Sequence, residues 1–555
     1  MDAHPVRMID YFDGTKQSVI PLFQRPYQWD KEKWSVLWED IMSMYGLEES
    51  DDSVHFMGAI VSMPVKTVPV GVSKYLIIDG QQRLLTLAIL LSVIRDKVEG
   101  NTKLRIQENY LTNNRHDEPD YLKILPTQDD RDAFLSLVKN EIKTLPDGRI
   151  REAHNYFSRV LKEYKDFEDR HIDLEKLLAT LENRLSVVMI NLKDTDDPYL
   201  IFEGLNHKGM DLTEADLVRN FILMRFKHSI GPGSEQESVY NKLWKPMQDD
   251  QGKGFSDFLR FYAMSRGENV RKKQIYSAIK KSIPNSWSSD DLVEEIHRMK
   301  EYSDHYLKLI DPSKEGNKKL RKHLEAYNGM SQVICRPLIL RLYEARDNEK
   351  ICDEDLSICF SMIESYLLRH QIMNLANNTF QVHFIKLCSK LDSVGEKIVD
   401  WLEKELCESK GANRWVTDAE LERTLLNVPV YERGVLKYML EQIERNFEHL
   451  EPADLSKTTI EHIMPQKLTG DWQEMLGEDY RDIHQKYLHT LGNLTLTGYN
   501  SELGNFSFEE KKEKLKGSHI ELNRWICKQD KWTESEIVDR GKMLIELVKK
   551  IWTRP

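Results

Sequence analysis

Apolar residues recur at helical spacing over most of the chain and at alternating spacing in a few short stretches. Ser18 to Trp29 reads as a short strand running into a Pro-punctuated aromatic loop. A helix is predicted from Asp30 through Trp34, Leu37, Trp38 and Ile41, which form one apolar stripe. Two strand-like runs follow, His55 to Met63 and Lys74 to Ile78, and then an apolar helix from Leu84 to Ile94. Residues 103–185 read as predominantly helical, including Leu135 to Ile142 and Asp173 to Leu185, and Leu185 to Leu192 as a buried strand. Asp197-Pro198 opens a predicted helix that carries Ile201, Phe202 and Leu205 inward and ends near Asn206 to Gly209. Thr213 to Asp216 is a capping-box pattern with Asp in place of Glu, ahead of Leu217, Phe221 and Met224.

The Gly231-Pro232-Gly233-Ser234 stretch marks a boundary, and from Glu237 to Glu408 one helical pattern follows another, broken at Asp311 to Asn317 and at Asp347 to Lys350. Thr417 to Glu420 is another capping box, followed by a helix through Leu436, Leu440 and Ile443. Thr459 to His462 favours a strand that stops before Pro465, and Leu494 to Thr497 alternates as a half-buried strand does. The expected fold is predominantly α with small α+β regions: an α+β domain over 1–228, a helical connector over 229–408 and a C-terminal domain over 409–555.

Composition narrows the class. The 555 residues are 40% hydrophobic and 31% charged, which describes a helix-rich globular protein rather than a disordered one. The run Leu84 to Ile94 is too short to span a bilayer, so no membrane partner is expected. Six scattered cysteines lack zinc or disulfide-framework spacing, and a cytoplasmic location is the simple expectation. A net charge of −12 argues against a protein that coats nucleic acid over its whole surface, though it leaves room for a local basic groove. Lys511, Lys512, Lys514 and Lys516 could supply one by contacting phosphates; the alternative is a solvated helix face.

The chemistry-bearing stretch is Thr458 to Gln466, followed by Leu491 to Thr497 and Asn500. Phosphodiester hydrolysis needs a base to activate water and a cation to neutralise the phosphate. His462 titrates near neutral pH, and Glu461 and Asn500 carry hard oxygen ligands suited to magnesium. Adjacent strand residues point to opposite faces, so Glu461 and His462 serve one centre only if the backbone bends there. A lone Glu-His pair is ordinarily a hydrogen-bonded core histidine; the ordered combination is what favours a reactive site.

At these residues the chain resembles the HNH, or His-Me finger, nucleases, whose core is a ββα-metal unit. The resemblance implies His462 as general base, Glu461 and Asn500 as ligands of Mg2+ or Mn2+, and Asn493 as the residue orienting the loop that carries His462. Glu461 stands where Asp is usual and Asn500 where the final His would be, Asn505 competes for that last role, and the paired Cys-x-x-Cys motifs of zinc-carrying relatives are absent from the sequence.

Near the N-terminus, the run Lys74 to Ile78, the turn Asp79-Gly80 and the helix start Gln81-Gln82-Arg83 place backbone N–H groups and a helix dipole where a phosphate would sit. Together with Gln24-Arg25-Pro26-Tyr27, and with Phe202 to Asn206, this resembles the N-terminal domain of the GmrSD-type, modification-dependent (type IV) restriction proteins, a nucleotide-using domain related to ParB and sulfiredoxin. Leu85 replaces the first Thr of the usual motif. The resemblance implies a nucleoside triphosphate pocket formed by Gln24, Arg25, Asp79, Gly80, Gln81, Gln82 and Arg83, with Asn206 facing it or simply ending a helix. Tyr27 and Trp29 either read DNA beside this pocket or pack on Trp34 and Trp38.

The expectation is an NTP-dependent, metal-dependent endonuclease that cleaves modified, double-stranded phage DNA, with a homodimer as a further expectation. The modified group is left open among glucosylated hydroxymethylcytosine, another modified cytosine and a backbone phosphorothioate. An NTP-regulated DNA-binding switch with a degenerate nuclease site, and an RNA-cleaving toxin, are the alternatives.

Overall fold

A computed structural model describes residues 2–22, 24–48, 51–65, 71–165, 170–193, 213–226, 234–376, 379–447, 453–498 and 503–555. The helix expected from Asp197, Asn206, residues 231–233 of the boundary and Asn500 lie outside these residues. The chain forms two compact units, Met1–Asp249 with Ile279–Ile296, and Asp250–Ala278 with His297–Pro555. Both are mostly helical, and no described helix is long and apolar enough to cross a membrane.

The first unit is built on a six-stranded sheet of β1 (Asp2–Arg7), β2 (Lys16–Val19), β3 (His55–Pro64), β4 (Ser73–Asp79), β5 (Ile124–Leu125) and β6 (Leu185–Asn191). Its order is β1-β6-β3-β4-β2-β5; β1/β6 and β3/β4 are antiparallel and the other pairs parallel. β3, β4 and β6 form where β-branched and apolar runs were expected. β1 escapes the pattern because it is a mostly exposed edge with no buried face to impose alternation.

The helix Gln81–Arg95 starts one turn earlier than its apolar run and is buried almost all round, which makes it the core of this unit. The helix expected over Leu135 to Ile142 instead spans Gln128–Val138, because Asn140 takes a left-handed backbone (φ 61°) that no helix continues through. Arg149–Glu163, one-sidedly apolar, was hidden in the broadly helical reading of 103–185.

In the second unit the helix Asp353–Met373 is central, and its Arg369, fully buried, donates to the carbonyls of Val416 and Trp552 and to Asp418. The capping boxes at Thr213 and Thr417 both form, opening Glu214–Leu223 and Asp418–Asn427. A hairpin of β7 (Thr459–His462) and β8 (Leu494–Thr497) carries the C-terminal motif. All four residues of β8 are buried, not half of them, because Thr495 donates to Asn523 on the helix Glu521–Cys527.

Candidate active site

β7 pairs with β8 in regular antiparallel register through His462↔Leu494, and Ile463 N–H donates to the Asn493 carbonyl at 3.0 Å. The chain then leaves the strand under the grip of Asn493. Its Oδ1 accepts from Met464 N–H (2.7 Å) and from the Trp532 indole (3.1 Å), and its Nδ2 donates to the carbonyls of Met464 and Leu488. Asn493 itself sits in a turn clamped from behind. Arg540, fully buried, donates to the carbonyls of Gly492 and Leu494, and a Cβ at Gly492 would lie 2.0 Å from the Ile537 carbonyl oxygen, so only glycine fits.

The regular strand decides where the two reactive side chains go. His462 faces His489 and Tyr431: its Nε2 lies 3.0 Å from His489 Nδ1, and the Tyr431 ring centre lies 4.4 Å from its own. Burial, together with the positive charge of His489, Lys511 and His484, pushes His462 down to about 3, so the ring is neutral at pH 7. Glu461 faces the other way, onto the helix Phe508–Lys516, where Lys511 Nζ donates to its Oε1 at 2.6 Å. The bend that would bring Glu461 and His462 to one centre is absent from β7.

Lys511 corrects a second expectation. It is fully buried and also donates to the His462 carbonyl, so it cannot meet a DNA phosphate from this position. Lys512 is similarly occupied, with Glu509 and the Gln529 carbonyl. His489 and Tyr431 were not singled out from the sequence; the signal for His489 was its position two residues before the Leu491-Gly492-Asn493 motif.

In the first unit the two N-terminal motifs knit together. Gln81 Nε2 donates to Gln24 Oε1 (2.9 Å) and the Arg25 carbonyl, Gln24 Nε2 donates to the Ile78 carbonyl (2.8 Å), and Gln82 Oε1 accepts from Gln28 N–H (2.8 Å). Gly80 makes the turn from β4 into the helix with φ 98°, where a Cβ would press on Ile60 and the Ala59 carbonyl. Arg25 pairs with Asp216 at 3.1 Å, Arg83 donates to the Ala59 carbonyl at 2.6 Å, and Asp79 is half-buried at the strand end. Tyr27 is a correction. It is 2% exposed, and its hydroxyl bonds to the Trp34 indole and Thr86, so it is core and not a DNA-reading surface.

Two family models match the chain: the N-terminal domain of the GmrSD restriction endonuclease over residues 8–223 and the C-terminal domain of the GmrSD restriction endonucleases over residues 415–547. The chain belongs to the GmrSD restriction endonuclease family. No curated protein matches it. The paired motifs around Gln24 and Gln81 lie inside the first match, and His462, His489 and Asn493 inside the second.

Restriction endonucleases act on DNA and are typically metal-dependent. The described residues do not fit a divalent ion at Glu461, whose carboxylate already holds a buried ammonium. Among the described residues no group of three or more His, Cys, Asp or Glu side chains is placed to hold a metal. Asn505 is described and exposed.

Proposed function

We propose that this GmrSD protein hydrolyses modified foreign DNA in the cytoplasm with His462 as general base, and that nucleoside triphosphate bound by the first unit gates the cut. The observation that carries the reading is the pairing of a neutral, buried His462 with His489 at the end of β7, in a loop fixed by Asn493. A base must be unprotonated to take a proton from water, and burial keeps His462 unprotonated near neutral pH while also lowering its basicity. The hairpin with the helix Phe508–Lys516 then plays the part of a ββα unit, the first 228 residues that of a ParB/sulfiredoxin-like domain, and residues 229–408 connect them.

For the nucleotide, the support is the strand, glycine turn and helix start at Asp79 to Arg83, held against Gln24 and Arg25. Gating requires two states with different nucleotide affinity. Mg2+ or Mn2+ is the cofactor the reading calls for, held by groups other than a Glu461 that stays paired. The binding-switch reading gains support from that same pairing, since it withholds one carboxylate from a metal at this centre.

One experiment separates them: matched modified and unmodified phage DNA, with and without each NTP and Mg2+, given to wild type and His462→Ala. NTP-dependent cleavage of the modified DNA by wild type alone supports the nuclease. Binding without cleavage in every arm supports the switch.

A further inference from the structure

The ion pair between Glu461 and Lys511 is the most thoroughly buried one described beside the site, with side chains 6% and 0% exposed. Two charges are withdrawn from water at considerable cost, and such a pair persists only when its geometry and hydrogen bonds are good. Here they are. Lys511 Nζ lies 2.6 Å from Glu461 Oε1 and 2.6 Å from the His462 carbonyl oxygen, so one ammonium ties the helix to the carboxylate and to the backbone of the next residue. The helix that delivers it is itself fixed. Ser507 and Glu510 close a capping box at its start, and Lys512 anchors its middle to the Gln529 carbonyl.

A magnesium ion sits about 2.1 Å from its oxygen ligands and demands a nearly full octahedral shell. The Lys511 ammonium occupies the approach to Glu461 Oε1, and a dication brought alongside it in a dry environment would meet strong repulsion. We propose that Lys511 is the standing cation of Glu461. It bars that carboxylate from binding a divalent metal, and it acts as a positioning residue by pinning the His462 carbonyl at the strand end. Any metal the enzyme uses is then bound without Glu461. The inference rests on the proposed function only in taking His462 as the centre, and metal binding is measured independently of cleavage.

The test is Mn2+ binding to the full-length protein, by calorimetry and by electron paramagnetic resonance of the free ion. Wild type, Glu461→Gln, Lys511→Met and Lys511→Met/Glu461→Gln are compared, each checked for folding by its thermal melt. The expected result is unchanged Mn2+ affinity in Glu461→Gln, a gain of about tenfold or more in Lys511→Met as the carboxylate is released, and loss of that gain in the double variant. Should either single variant fail to fold, the double variant removes both charges together, and its affinity relative to wild type decides the question. A loss of about tenfold in Glu461→Gln or in the double variant overturns the proposal, as does a folded Lys511→Met with no gain. A failed cleavage assay with intact Mn2+ results would strike the proposed function and leave this inference standing.

Discussion

His462 Nε2 and His489 Nδ1 lie 3.0 Å apart, with the Tyr431 ring packed against both imidazoles. One hydrogen sits between the two rings, so His489 holds the ring plane of His462. His489 is the more exposed of the two.

His462→Ala is expected to lower DNA cleavage by about 100-fold or more while leaving the melting profile near that of wild type. His489→Ala is expected to lower it by a smaller factor, since the base keeps its place in the strand and loses only the partner that aligns it. Cleavage by His462→Ala at the wild-type rate would remove this ring from the chemistry.

The same burial makes stability depend on pH. His462 is lowered from 6.5 to about 3 in the folded chain, so between these values the unfolded chain binds a proton that the folded chain refuses. Stability from this group is therefore complete above about pH 6.5 and is lost as pH falls toward 3, with a slope of at most about 1.4 kcal/mol per pH unit. Urea midpoints measured from pH 7 down to 4.5 should fall less steeply in His462→Gln than in wild type. Equal slopes would mean that the ring is protonated in the folded protein.

Much of this was legible in the sequence because local pattern and tertiary outcome agree there. Asp30 and Thr417 cap the helices they precede, Gly80 turns β4 into its helix, and β7 ends at His462 ahead of Pro465. The failures share a cause: side-chain partners distant in sequence. Lys511 reads as one of four surface lysines until Glu461, 50 residues earlier, is seen to face it. Tyr27 reads as part of an exposed aromatic loop until Thr86, 59 residues later, takes its hydroxyl. His489 is marked only by its nearness to Leu491-Gly492-Asn493, because its role exists only once the hairpin closes.

Asn493→Ala tests how far the His462 loop depends on a single amide. The change leaves Met464 N–H and the Met464 and Leu488 carbonyls without their partner inside a buried network, and each orphaned group costs about 1 to 3 kcal/mol. A destabilisation of about 3 kcal/mol or more is expected by chemical denaturation. Cleavage should fall further than the folded fraction does, since the loop after His462 is no longer held. Loss of cleavage in strict proportion to folding would assign Asn493 a purely structural role.

Arg83→Ala bears on the nucleotide. Arg83 lies in the first turn of the helix that follows Gly80, and its guanidinium bonds to the Ala59 carbonyl of β3. Losing a charge-assisted phosphate contact costs about 1.5 to 3 kcal/mol, or about tenfold to hundredfold in NTP affinity. Calorimetry with each NTP checks this, and Mn2+ binding in the same variant should be unchanged. Unaltered NTP affinity in both Arg83→Ala and Arg25→Ala would reject the pocket.

Tyr27→Phe separates a reader of DNA from a core residue. The hydroxyl lies in a directed chain in which the Trp34 indole N–H donates to Tyr27, Tyr27 donates to Thr86, and Thr86 donates to the Gln82 carbonyl. Thr86 can give its proton to Gln82 only if Tyr27 supplies the other hydrogen, so the order of donors is fixed. Burial holds the phenol above its usual range, in keeping with a neutral donor away from water. Phenylalanine keeps the ring and removes the link, orphaning the buried Trp34 N–H at a cost of about 1 to 3 kcal/mol. Because Gln82 also receives Gln28 N–H, the slackening should reach the loop beside Gln24 and Arg25 and weaken NTP binding modestly. Modified and unmodified DNA should be affected alike, since the side chain meets neither. A variant that melts like wild type yet loses its preference for modified DNA would return Tyr27 to the DNA-reading surface.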